Sequence, residues 1–201
     1  MSYMHPYENL SLFTIGLILG VWLIAIHALM LVKSDEVKGF LKKFPRNLLW
    51  GQILMGVGLA WFWLLIAPEN LGKLSALVMD FGEFNGAKPI LRILVPLTLV
   101  GVVISVRDFL AVRALGVVGL MAASPLLEAA FLKDPSSRLL VPIYAYAMIT
   151  VSLFLIGKPY LFRDAVTWIS ADEKRWKVTA LLGLGYGLAT LICAIVYWRG
   201  Y

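Results

Sequence analysis

Apolar residues fall into six runs, separated by short stretches rich in Lys and Arg: Leu10–Val32, Leu48–Ala67, Ile90–Val106, Ala114–Phe131, Leu139–Ile156 and Val178–Trp198. A helix rises about 1.5 Å per residue, so roughly 17–25 apolar residues cross the hydrocarbon of a bilayer. Each run predicts one spanning helix. The third is short and holds Arg92 near its start, and the fourth ends with Pro125 and Glu128. A five-span alternative joins residues 90–131 into one broken hairpin and puts the two termini on opposite sides.

Two polar stretches have helical patterns of their own. In loop one, Val37, Phe40, Leu41 and Phe44 recur at helical spacing, with Lys38, Lys42 and Lys43 on the other side. Ser34 is the expected cap and Pro45 the stop. In loop five, Pro159 suits a first turn. Leu161, Phe162, Ala165, Trp168 and Ile169 then form an apolar stripe opposite Arg163, Asp164, Thr167 and Ser170. Both read as amphipathic helices lying in the headgroup plane. Ser170 and Glu173 have the spacing of a capping box for the last span.

Composition removes the other fold classes. Of 201 residues, 61% are hydrophobic and 15% charged, against about 45–50% and about 25% in soluble domains. A water-soluble globule, a disordered chain and a disulfide scaffold are excluded. The expected fold is an all-α polytopic integral membrane protein: one domain over 1–201, a six-helix transmembrane bundle with two short cytoplasmic interfacial helices. Met1–Asn9 has no basic residue and no A-x-A site precedes Lys33, so the first run reads as a mature helix, not a cleaved signal.

Charge adds an orientation. The net charge is +6, and loops one, three and five hold twelve of the eighteen Lys and Arg, among them Arg107 and Arg113. The positive-inside rule puts those loops in the cytoplasm, against anionic headgroups, and both termini on the other side. Basic residues confined to short loops do not form a nucleic-acid surface. Trp50, Trp61, Trp63, Trp168, Trp176, Tyr197 and Trp198 fall near span ends, as an interfacial belt would.

Candidate chemistry is sparse. Gly16 and Gly20 have G-x-x-x-G spacing in the first span, as do Gly183 and Gly187 in the last, and predict close helix packing. His27 is the one histidine inside a span and lies within about 40° of both Gly16 and Gly20 on the helical wheel. It could ligate haem or a metal, relay protons, or hydrogen-bond a neighbouring helix. His5 lies on the opposite side, so a bis-histidine haem within the chain is not expected. Arg92 and Glu128, both toward the terminal side, could pair across the third and fourth spans; Lys133 or Arg138 could serve Glu128 instead. With Tyr144, Tyr146 and Thr150 they are candidates for a substrate path, and Pro96, Pro125 and Pro142 for the kinks such a path uses. Asp80 and Glu83 sit in a turn and are too few oxygens for a cation site.

Cys193 is the single cysteine, so no intramolecular disulfide forms. H-E-x-x-H, G-x-S-x-G, Walker A, C-x-x-C and dinucleotide motifs are all missing. The expected role is a non-catalytic subunit of a larger membrane complex, with other membrane subunits and the bilayer as partners. The alternative is a small permease or substrate-binding component with a polar path through the third to fifth spans.

Overall fold

The computed structural model describes residues 5–106 and 108–201; Arg107 of the third loop lies outside the described residues. Six helices are long and apolar enough to cross a membrane: α1 Leu12–Val32, α3 Leu48–Leu65, α4 Lys88–Ser105, α5 Leu110–Ala130, α6 Leu140–Gly157 and α8 Glu173–Tyr197. Two shorter helices, α2 Ser34–Lys43 and α7 Tyr160–Ser170, occupy the first and fifth loops. The chain is therefore a helical, multi-pass integral membrane protein.

The described chain ahead of α1, from His5 on, and the C-terminal residue Tyr201 lie at one end of the bundle, here the terminal face. The Ser11 hydroxyl and the Phe13 N–H both donate to the Tyr201 carbonyl, at 2.6 and 3.3 Å. His5 Nε2 bonds the Leu77 carbonyl at 3.0 Å, and Trp198 Nε1 donates to Ser137 Oγ at 2.9 Å. The opposite, basic face carries α2 and α7.

Within the bundle α1 packs along α8, α5 packs on both α6 and α3, and α4 lies at the edge against α3. The α1–α8 contact is built on glycine. A Cβ on Gly16 would stand 2.5 Å from the Trp198 ring, one on Gly20 2.9 Å from Leu191 Cβ, and one on Gly187 2.9 Å from Leu23 Cβ. One on Gly183 would collide with the His27 imidazole. Lipid tails are as apolar as leucine, so spans associate by close packing, which small residues permit. Gly51 and Gly116 do the same for α3–α5 and α5–α6, lying against the backbone of Ala111 and Ser152.

Local differences from expectation have physical causes. Ser34 is the first residue of α2, not its cap. The single residue Lys33 separates α1 from α2 and gives α2 no side-chain cap, and Ser34 Oγ has no partner among the described residues. Asp172, in extended backbone, caps α8 by accepting from Lys174 N at 2.8 Å, so Ser170 and Glu173 form no capping box. Helix α5 starts at Leu110, not Ala114. Leu110, Ala111 and Val112 are buried against α3 and Phe44, so the charge of Arg113 does not end the helix. Pro96 and Pro125 lie inside helices that continue through them. Pro142 falls in the first turn of α6, where no N–H is required, and interrupts nothing.

The amphipathic stretches keep their expected stripes in part: Val37, Leu41 and Phe44 pack inward in the first, while Phe40 is exposed. Helix α7 buries Val166 and turns Phe162 and Ile169 inward, while Trp168 is 60% exposed. Lys38 points inward, its ammonium 5.2 Å from the Trp176 ring centroid and paired with Glu173. Nor is the aromatic belt uniform. Trp50, Trp168 and Tyr197 face outward, but Trp176 and Trp198 are fully buried. The Trp176 indole N–H reaches the Met30 carbonyl at 2.8 Å, that of Trp61 the Tyr7 hydroxyl at 2.5 Å, and that of Trp63 the Arg92 carbonyl at 3.2 Å. These rings join elements as hydrogen-bond donors.

The α1–α8 contact yields a direct test. Gly183→Ala is expected to destabilise the protein by about 1–3 kcal/mol through overpacking. His27→Ala in the same chain should recover most of that loss, because it removes the group in collision. Thermal unfolding of the two single variants and the double variant in detergent measures this coupling.

Candidate functional site

Polar groups converge at the terminal face. A cavity of about 690 Å³ is lined there by His5, Tyr7, Glu8, Glu69, Val78, Met79, Asp80, Asn85, Lys88, Pro89, Arg92 and Glu128. Three span ends meet around it: the residues just past α3, the first two turns of α4, and the last turn of α5.

Its walls are held by identifiable bonds. The Tyr7 N–H donates to His5 Nδ1 at 3.2 Å, while His5 Nε2 faces the Leu77 carbonyl, so the ring carries its hydrogen on Nε2. This ties the chain ahead of α1 to the loop after α3. Within that loop, Gly72 and Gly82 have φ of +62° and +56°, turns that glycine permits without strain. The Asp80 carboxylate accepts from the Asn85 amide and, at 2.8 Å, from the Gly82 N–H. The Asn85 bond above all, then the Gly82 N–H and the charge of Lys88, hold the Asp80 carboxyl below its ordinary range. Asp80 is thus spent on the turn, and Glu83 does not reach the cavity.

The two α4 cations behave differently. Arg92 donates from Nε to the Ile66 carbonyl at 2.6 Å and from a terminal nitrogen to the Ala67 carbonyl at 3.2 Å. Both carbonyls belong to completely buried residues at the C-terminal end of α3, which the guanidinium fork satisfies. Arg92 is therefore not the ion-pair partner of Glu128, and no pair within 4 Å joins Glu128 to Lys133 or Arg138 among the described residues. Arg138 donates to the Lys133 carbonyl instead. Lys88 is 9% exposed, and its ammonium lies 5.3 Å from the Phe81 ring centroid. Among the described residues it makes no hydrogen bond to a side chain and has no carboxylate within 4 Å.

The expected substrate path is only half assembled. Arg92 and Glu128 line the cavity together. Tyr144 instead packs toward α8, its ring 6.3 Å from that of Tyr186, whose hydroxyl donates to the Leu140 carbonyl at 2.5 Å. Tyr146 is 61% exposed on the outer side of α6, and the hydroxyl of exposed Thr150 is engaged by the Tyr146 carbonyl at 2.9 Å. Two residues apart on a helix is about 200°, so Tyr144 and Tyr146 face opposite ways.

His27 makes a packing contact. Its Nδ1 donates to the Leu23 carbonyl at 2.7 Å, which leaves the lone pair on Nε2. That nitrogen abuts the backbone of α8 at Gly183. A metal or haem iron needs about 2.0–2.1 Å of clear approach to such a nitrogen, and here the neighbouring helix fills that position. Its glycine companions Gly16, Gly20, Gly183 and Gly187 all lie along the same contact. Among the described residues no three His, Cys, Asp or Glu side chains form a metal-binding group. Sequence reasoning missed Lys88, Glu69, Glu8 and His5, because each looks like an ordinary loop or tail residue until the loop folds over the span ends.

The turn at Asp80 gives a pH prediction. A carboxyl lowered by folding contributes stability that is fully present above its unfolded value and lost as pH falls through its folded value. The Gly82 amide resonance is expected to titrate with a midpoint below the ordinary aspartate range. Asp80→Asn should abolish the step, and a midpoint at the usual value would contradict the bond pattern.

No protein-family model matches the chain, and neither a curated protein nor a solved structure is detectably similar to it.

Proposed function

We propose that this protein is a non-catalytic integral subunit of a larger membrane assembly, docking a transmembrane partner along α4. The observation that carries the reading is the isolation of that helix. Of its eighteen residues only Lys88 and Val95 are buried. Its outward side carries Ile90, Ile93, Leu97, Val100 and Ile104, all well exposed. Thr98, Gly101 and Ser105 are exposed among them, and a Cβ on Gly101 would meet nothing within 4 Å. Gly56 and Gly185 share that open setting, whereas Gly16, Gly20, Gly51, Gly58, Gly116 and Gly187 are filled by a neighbouring helix. Small residues favour helix–helix approach in lipid, and here a second helix would supply it.

The second reading, a small substrate-binding or permease component, is favoured by one fact: Arg92 and Glu128 share a cavity. The interior below that cavity is apolar, with Ser152 and Thr190 the buried polar side chains of the described spans besides Lys88. This supports binding at one end more than passage across the bundle.

Orientation belongs to the same proposal. The basic face would lie in the cytoplasm, with Lys42, Lys43 and Arg163 toward anionic headgroups and both termini opposite. With Cys193 replaced, a lone cysteine at Lys43 should react with an impermeant maleimide only after the cell is opened. One at Glu83 should react in intact cells; the reverse pattern would invert the topology.

For the subunit reading, a photo-crosslinking residue at Gly101 is expected to capture a partner of fixed mass in the native membrane. One at the equally exposed Trp22 of α1 should capture none. Gly101→Leu should lower recovery of the complex while changing monomer stability by less than about 0.5 kcal/mol. Gentle extraction that yields a lone monomer carrying a small molecule would sink the subunit reading in favour of the second.

A further inference from the structure

The terminal-face cavity has chemistry that the subunit reading does not use. Its cations stand together: Lys88 and Arg92 are one turn apart at the start of α4, where the helix dipole is positive. Its carboxylates come from elsewhere: Glu8 ahead of α1, Glu69 and Asp80 in the loop after α3, and Glu128 in the last turn of α5. Asp80 is engaged by its own turn and Glu8 accepts from the His5 N–H at 3.4 Å, which leaves Glu69 and Glu128 for a ligand. A simple anion meets these carboxylates, and a simple cation meets the two basic side chains. A group bearing both charges satisfies both walls.

Lys88 supplies the open cation of the site: its stem is buried and its ammonium faces the cavity without a hydrogen-bond acceptor among the described residues. Lysine is rarely this buried unless paired. Its ammonium has three donors, and the Phe81 ring uses none of them as a hydrogen bond. Its tip opens on the cavity, where an acceptor brought by a ligand would gain a charge-assisted hydrogen bond. The cavity volume of about 690 Å³ falls in the range of small-molecule sites. Its position among three span ends places it at headgroup depth.

We propose that this cavity seats a zwitterionic group of the phosphoethanolamine kind, its phosphate at Lys88 and Arg92 and its ammonium at Glu69 and Glu128. The group can arrive as a lipid headgroup or as a free solute. A quaternary amine lacks the N–H donors that the carboxylates accept, and a headgroup without an amine leaves those carboxylates unmatched. The inference does not depend on whether the protein works inside a complex.

The test uses the full-length protein in detergent, with native mass spectrometry against phosphatidylethanolamine, phosphatidylcholine and phosphatidylglycerol at equal concentration. Phosphatidylethanolamine should be retained preferentially. Lys88→Gln should weaken its retention roughly tenfold or more, as loss of a charged hydrogen bond does. Glu69→Gln, at an exposed loop position, should erase the preference over phosphatidylcholine. Equal retention of the three lipids, or a folded Lys88→Gln protein that binds as before, overturns the proposal. If Lys88→Gln does not fold, an unchanged preference in Glu69→Gln overturns it alone. Addition of glycerophosphoethanolamine then separates the sources: displacement of the lipid supports a site for the free solute, and resistance to displacement supports one for the headgroup.

Discussion

The close approach of α1 to α8 is the constraint on which the rest of the bundle depends. In hydrocarbon no hydrophobic gain draws two apolar helices together, so shape must do it. Gly16 accepts the Trp198 ring, Gly20 and Gly187 admit the opposite backbone, and Gly183 leaves room for His27. Because α1 is the first span and α8 the last, this contact also brings the start of α1 to the C-terminal residue. Tyr201 then accepts hydrogen bonds from Ser11 and Phe13, and Trp198 reaches Ser137 in the loop before α6.

The two faces use polar groups in opposite ways. On the basic face, Lys38 is held by Glu173 and the Trp176 ring, and α7 turns Phe162 onto Phe44. The other lysines of α2 remain in water or among headgroups, where charge is cheaply solvated. On the terminal face Lys88 is buried and Arg92 and Glu128 are partly covered, while Glu8, Glu69 and Asp80 stay exposed. Arg92 spends Nε and one terminal nitrogen on the open carbonyls at the end of α3, keeping its other N–H groups toward the cavity, and Asp80 is held by its turn. Lys88 and Glu128 are left facing a shared space. The difference follows from cover. The loop between α3 and α4 lies over the start of α4 and covers the stem of Lys88, whereas Lys42 and Lys43 of α2 stay exposed.

Histidine and tryptophan illustrate how far residue type alone carries an argument. An ionisable ring inside a span is a candidate for function, and the helical wheel correctly puts His27 beside Gly16 and Gly20. The wheel does not say what lies opposite, and the answer is the backbone of α8. The tryptophans near span ends fit an interfacial belt by position, yet those of Trp176 and Trp198 are interior donors. Position along the membrane normal is legible in one dimension; rotation about each helix axis depends on neighbours. Tyr144 and Tyr146 are the exception, since spacing alone separates them onto opposite faces.

By itself the sequence determined what depends on local pattern: six apolar segments of spanning length, two amphipathic connections, and a net positive charge gathered in alternate loops. These are properties of consecutive residues and of the transfer of side chains from water to lipid, so they survive without knowledge of contacts. The tertiary structure alone decided which caps operate, that Arg113 rides inside α5, that Arg92 serves α3 rather than Glu128, and that Lys88 lines one cavity with Glu128, Glu69 and His5. Each of those outcomes joins residues far apart in the chain. Their energies come from hydrogen bonds and excluded volume between elements, which no periodicity along a single helix records.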